Sequence, residues 1–311
     1  MNFQSIRDVS FILRFLCFGY LGLSLTCNGQ KNIGFSQPGD TLSYLMLEMS
    51  QVKNDSQRLR YNEIFTRVLY EFIQTLEAET YSLEKVKTLN RISSDDGSLT
   101  FFQWNILTTE GRFRYFGFIK VNLSDTKPIF TLTDGSDFGG DLDSAILSVD
   151  NWFGALYYRI ITCKDEEGGT FYTLLGWSGK DRQITRKVID ILSFDSLHHP
   201  VFGAYRFPDY KTGHFSRVVF MFDASSSMSL KYEDQPLSVT RKWDSARRTF
   251  EEHLNEQKVL VFDHLIPIDP LLEGQYRYYV PSGETYCGFF FKGGYWYFLQ
   301  KIDARNSVKK P

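Results

Sequence analysis

The stretch GALYYRIITCKDEEGGTFYTLLGWSG, residues 154–179, decides how the chain is read. Two runs rich in aromatic and β-branched residues flank an acidic break that contains glycine, which is the pattern of a strand pair. Successive side chains of a strand point to opposite faces. Strict alternation puts Leu156, Tyr158 and Ile160 on one face and Ala155, Tyr157, Ile161 and Cys163 on the other. In the second run, Phe171 and Trp177 oppose Tyr172 and Leu174. Both faces are apolar, so the hairpin is expected inside a packed β body, covered on two sides.

Working outward, the same period of two recurs from about residue 90 onward, with turn signals between the runs. SSDDGSLTFFQWNIL and GRFRYFGFIKVNL flank TTEG (108–111), and Asp96-Gly97 marks another tight turn. Further strands are read at KPIFTLTD, 184–194, 201–207, 215–223, 227–234, 258–265, 274–280 and 289–303. Gly293-Gly294, between aromatic runs, is the clearest two-residue hairpin. The fold class expected is mainly β: an antiparallel meander forming a sandwich, an open barrel or a propeller-like stack, with an N-terminal α-helical segment. No internal repeat marks a propeller. The helical segment carries a short pattern at 41–52 and a stronger one at 59–79. There Tyr61, Ile64, Phe65, Val68, Leu69, Phe72 and Leu76 line one face, with Asp55 or Ser56 as cap. Residues 240–257 place Trp243, Ala246, Phe250 and Leu254 at helical spacing, with Arg247 and Arg248 four residues before Glu251 and Glu252. They are expected to form a helical insertion in the β domain.

The first 29 residues differ from the rest. Arg7 and Arg14 precede FLCFGYLGLSL (15–25), an uncharged apolar run of 11 residues, and TCNGQ follows. This is the layout of a secretory signal peptide, cleaved after Gly29, and the run falls short of the ~20 residues of a membrane-spanning helix. The rival reading is a lipoprotein anchored at Cys27, although Ser24 stands where the bacterial lipobox has leucine. The domain plan is a signal peptide at 1–29, a helical segment at 30–90, an antiparallel β domain at 91–303 and a tail at 304–311. No transmembrane segment is expected in the mature chain, which is placed in the periplasm, the medium or at the outer membrane. The formal net charge is −2, and no basic stretch is long enough to attract a phosphate backbone, so nucleic acid is disfavoured as a partner. Beyond the leader, Cys163 and Cys287 remain, a possible disulfide in an oxidising compartment or two buried thiols.

Chemical motifs are sparse. There is no HExxH, GxSxG, phosphate-binding loop, GxGxxG or CxxC, so neither a cofactor nor a metal is expected. The serines of 225–229 lack the glycine-flanked turn of a nucleophile, and Asp134, Asp137, Asp141 and Asp143 match no calcium-loop spacing. The adjacent His198 and His199 precede a proline in a turn. VFDHLIPIDPLLEGQY (261–276) is the best polar constellation. His264 ends a strand, Asp269 and Glu273 follow on a proline-containing loop, and an acid–base pair is drawn from His264 with either carboxylate. The competing reading makes Asp263, Pro267 and Pro270 turn formers and His264 a capping group. Trp104, Trp152, Trp177 and Trp296 are core candidates; any that faces solvent offers a surface for a sugar ring.

Three of these stretches, NWFGALYYRII, YTLLGW and VFDHLIPIDPLLEGQY, together with SDDGSLTFFQWN, resemble a group of uncharacterised exported proteins of Bacteroidota-type bacteria. The likeness covers most of 90–303, and the segment 240–257 departs from it. The resemblance implies export and a β-rich body and brings no activity with it. The expected function is therefore non-enzymatic binding of a glycan or an envelope protein. The alternatives are a hydrolase using carboxylates near 263–273 and a structural accessory subunit of an envelope complex.

Overall fold

A computed structural model describes residues 37–123, 127–136, 141–244 and 249–302, with side chains placed for those outside 238–255. The expected leader, Cys27, the tail from 304 and Asp137 lie outside the described residues. The chain divides into two compact units, a helical one ending at Val86 and a β-rich one that takes most of the chain from Lys87.

The helical unit contains α1 (Pro38–Gln51), most of α2 (Asp55–Ile73) and the short α3 (Glu77–Thr80). Proline opens α1, where its missing N–H costs nothing. Leu42, Leu45, Met46 and Met49 form its buried stripe. The second helix starts earlier than the periodicity predicts. Asn54, rather than Asp55 or Ser56, supplies the side-chain oxygen that accepts from the Ser56 amide at 2.8 Å. It buries Phe65, Leu69, Phe72 and Ile73 and stops there, so the expected helix to 79 is interrupted after Ile73.

The β-rich unit is mainly antiparallel, as expected. Its strands are β1 (Asn90–Ser93), β2 (Leu99–Leu107), β3 (Phe113–Val121), β4 (Ile129–Thr133), β5 (Leu147–Ser148), β6 (Leu156–Lys164) and β7 (Thr170–Gly179). They continue with β8 (Ile184–Phe194), β9 (Pro200–Phe202), β10 (Val218–Asp223), β11 (Leu230–Asp244), β12 (Thr249–Pro267), β13 (Tyr279–Lys292) and β14 (Tyr295–Ile302). They form three sheets: β1-β2-β3-β4, then β5-β9-β8-β7-β6 with β10 also on β8, and β11-β12-β13-β14. The first and third are built from sequential hairpins, the middle one adds the non-sequential pairs β5–β9 and β8–β10, and none closes into a barrel.

The middle sheet has a core on each face. Tyr157, Ile160, Tyr172, Leu174, Val188 and Leu192 join Leu99, Phe101, Tyr115 and Ile119 of the first sheet. Ile161, Cys163, Phe171, Leu175, Ile189 and Ile191 join Leu230, Leu260, Phe262, Phe289 and Trp296 of the third. This is why the hairpin at 154–179 is apolar on both sides. Strict alternation is broken once: the β6–β7 register shifts between Tyr157 and Arg159, so Tyr157 and Ile160 share a core instead of opposing each other. The turn closes with Asp165 accepting from the Gly169 amide at 2.7 Å.

The expected helix at 240–257 is not formed. Residues 240–244 and 249–257 continue the β11–β12 ladder, with Val239 paired to Leu254, Arg241 to Glu252 and Trp243 to Phe250, while Ala246, Arg247 and Arg248 lie outside the described residues. The helical spacing misled because Phe250 and Leu254, four apart, also recur at the strand period, while Trp243 and Phe250, seven apart, are register partners on β11 and β12. Both flanks are already strands in register, and extending the ladder keeps backbone donors and acceptors paired without a break. The ladder between β12 and β13 begins only at Val259, so β11 and β12 run on as a two-stranded extension before it.

Candidate functional site

Four sets of residues claim attention: the expected acid–base group, the two cysteines, a buried ionic network and an exposed apolar loop. Asp269 caps the single 3-10 turn Pro270–Leu272, its carboxylate accepting from the Leu271 amide at 2.9 Å. Glu273 ends that turn, and both residues are exposed. His264 is also exposed, and its Nδ1 lies 3.8 Å from the Cys287 sulfur. Among the described residues, no hydrogen bond or ion pair joins His264 to Asp269 or Glu273. Asp263 accepts from the Ser229 amide at 2.7 Å, a structural contact between strand ends. The local chemistry of this segment is thus that of turn formation, and the proline and aspartate signals in the sequence belong to it.

Cys163 and Cys287 are free thiols, so the possible disulfide is not formed. Both line the core between the middle and third sheets. Cys163 lies 3.4 Å from the Thr173 hydroxyl, which also accepts from Trp296 Nε1 at 2.9 Å. Burial pushes the Cys163 thiol up to about 11 and raises that of Cys287 too, which keeps both protonated near neutrality.

Sequence reading missed the most polar feature of the interior. Arg217 and Asp190 are fully buried and joined Nε to Oδ1 at 3.0 Å. Tyr157 donates to the other carboxylate oxygen at 2.9 Å and accepts from Trp152 Nε1 at 3.1 Å. The remaining guanidinium nitrogens donate to the carbonyls of Leu142, Ala145 (2.8 Å) and Phe202 (3.2 Å). Burial and the Asp190 charge hold the Tyr157 hydroxyl far above its ordinary value, so it stays a donor. The network ties β8 to the 142–145 loop and to the end of β9. The only sequence signal was an aspartate at the centre of an apolar strand, VIDIL (188–192).

The loop between β12 and β13 is unusual for its apolar surface. Ile266, Ile268 and Tyr276 are 38%, 62% and 41% exposed, and Leu271 is 89% exposed. The loop is nonetheless ordered by specific bonds. The Asp269 cap holds one turn, the Ile268 amide donates to the Tyr278 carbonyl at 3.0 Å, and the Gly274 amide donates to the Tyr279 hydroxyl at 3.0 Å. Tyr276 and Tyr279 pack ring to ring at 5.4 Å. The four tryptophans with described side chains offer no such surface. Trp104, Trp152 and Trp296 are fully buried, and Trp177 is half-buried with its ring edge-to-face against Phe113 at 5.3 Å.

No helix among the described residues is long and apolar enough to cross a membrane, and no group of three or more metal-ligating His, Cys, Asp or Glu side chains occurs among them. No protein-family model, curated protein or solved structure matches the chain.

Proposed function

We propose that this chain is an exported, non-enzymatic binding protein of the cell envelope that docks on a protein partner through the β12–β13 loop. One observation carries the reading: Ile266 at the end of β12 and Ile268, Leu271 and Tyr276 on the loop that follows are all exposed, and the loop is held in a defined conformation. Large apolar side chains clustered in water mark an interaction surface. A loop already fixed by its own bonds loses little further entropy when it binds. Aliphatic Ile and Leu favour a protein surface over a glycan, which asks for flat rings and polar contacts, and the tryptophans suited to that task are half-buried or buried among the described residues. Export rests on the leader sequence at 1–29.

The test uses the chain in its native host with a photocrosslinking residue at Leu271 or, as control, at Leu197, which is 72% exposed on another turn. The expected result is one discrete adduct from position 271, none from 197, and loss of the adduct in Ile268→Asp. Equal adducts from both positions, or an adduct untouched by Ile268→Asp, overturns the docking surface. The intact mass of the native protein tests export: a chain beginning at Gln30 is expected, and one that retains Met1 overturns it.

A further inference from the structure

His264 and Cys287 meet where the third sheet is irregular twice. The β12–β13 register shifts between Asp263, paired with Tyr286, and Leu265, paired with Pro281, so the extra residues (282–285) lie on β13 opposite His264. The β13–β14 register shifts between Tyr286 and Gly288, at Cys287. Bulges re-aim side chains, and two side by side turn an imidazole and a thiol, 23 residues apart in sequence, toward one point. The thiol donates to the Gln300 carbonyl at 3.2 Å, and His264 Nδ1 stands 3.8 Å from the sulfur. Cys287 is 3% exposed, at the margin of the core, whereas His264 is open to solvent.

A protonated, buried thiol is a poor nucleophile, so covalent catalysis is not what this pair suits. Shared ligation is. With metal–sulfur and metal–nitrogen bonds of about 2.3 and 2.0–2.1 Å, an ion bridging the observed 3.8 Å gap would subtend roughly 120° between its two ligands. That angle lies within the range of trigonal and distorted tetrahedral coordination. We propose that Cys287 and His264 form a two-residue binding site for a thiophilic divalent ion of the zinc class. Thiolate with imidazole is the donor set such ions select, and it disfavours calcium and magnesium, which take oxygen. On binding, the thiol proton leaves to water and the sulfur ligates as thiolate. Among the described residues no third His, Cys, Asp or Glu completes a cluster, so the other positions on the ion fall to water or to a group of another molecule. The site is independent of the docking surface proposed for the β12–β13 loop.

The experiment is a titration of the reduced full chain with Co2+, whose thiolate charge-transfer absorption reports sulfur ligation, followed by displacement with Zn2+. A charge-transfer band is expected in the unaltered chain and in Cys163→Ser, is absent in Cys287→Ser, and needs at least tenfold more Co2+ in His264→Asn. No band in the unaltered chain, or a band that survives Cys287→Ser, overturns the site. Where Cys287→Ser disturbs folding, the exposed His264 decides: an unchanged Co2+ affinity in His264→Asn is equally fatal.

Discussion

Arg217 illustrates how much one residue decides. It lies in FSRVVFMFD, where nothing local to the sequence marks the arginine as buried. It is instead fully buried, with every polar nitrogen matched to an acceptor. Burying a charge is tolerable only when it is paired and bonded in this way. Removing one partner leaves the other charge uncompensated in the interior. Arg217→Ala is therefore expected to cost about 3–5 kcal/mol, read as a lower urea midpoint with little change in slope. Replacing the pair together, Arg217→Met with Asp190→Leu, should restore part of that loss. A loss below about 1 kcal/mol for Arg217→Ala would show that the guanidinium reaches water. The neighbouring glycine takes part as well: Gly203 adopts φ +96°, and a Cβ there would stand 2.8 Å from the Arg217 guanidinium.

At the scale of elements, hairpins were the most legible feature. Gly293-Gly294 was read as a two-residue turn, and both residues have positive φ, +58° and +84°, between β13 and β14. That backbone matches the twist of the strands and excludes most side chains. Space is also short at Gly294, where a Cβ would meet the Asp165 backbone at 3.0 Å. Gly294→Val should lower stability by at least about 1–2 kcal/mol, whereas the same change at Gly168, also at positive φ but with nothing near its Cβ, should cost only the backbone strain. Thermal melts of the two variants compare them, and equal losses would show that the contact with Asp165 relaxes freely. The failure at this scale was the segment 240–257. Its apolar residues fit two periods at once, and only the continuing ladder of β11 and β12 selects between them.

The β-rich unit as a whole buries an unusual number of acids that are neutral when protonated. Burial raises the hydroxyls of Tyr115, Tyr157, Tyr158 and Tyr210, takes Tyr172 up to about 12, and takes the Cys163 thiol from 9.0 to about 11. Each raised value means that the folded state holds its proton more tightly than the unfolded one. The corresponding stability is complete below the unfolded values, near 9 for the thiol and 10 for the phenols, and is lost as pH climbs toward the folded ones. Unfolding free energy should hold steady up to about pH 9 and then fall, with Cys163 acting first, between about 9 and 11. Urea titrations at successive pH values measure this, and a curve flat through pH 11 would mean that these groups stay wet. In Cys163→Ala the earliest part of the decline should shrink to the share of Cys287, whose thiol burial also raises.

The sequence by itself determined most of the strands (not the one read at 274–280, where Tyr276–Tyr278 form a 3-10 turn), most of their turns, the helices that precede them and the two-sided burial of the hairpin at 154–179. These depend on period, propensity and glycine placement, all local to a few residues. The helical period at 240–257 shows the limit of that information, since a local pattern that fits two structures is resolved by the strands on either side. Tertiary structure alone decided what depends on contact across the chain. It set Asp190 against Arg217, turned Asp269 into a cap, left Cys163 and Cys287 unbridged, and placed His264 beside Cys287 through two bulges. A bulge shifts every later side chain by one position, and no local pattern records where that shift falls. Which polar groups meet inside the protein therefore follows from the register of strands far apart in sequence, and so do the sites they build.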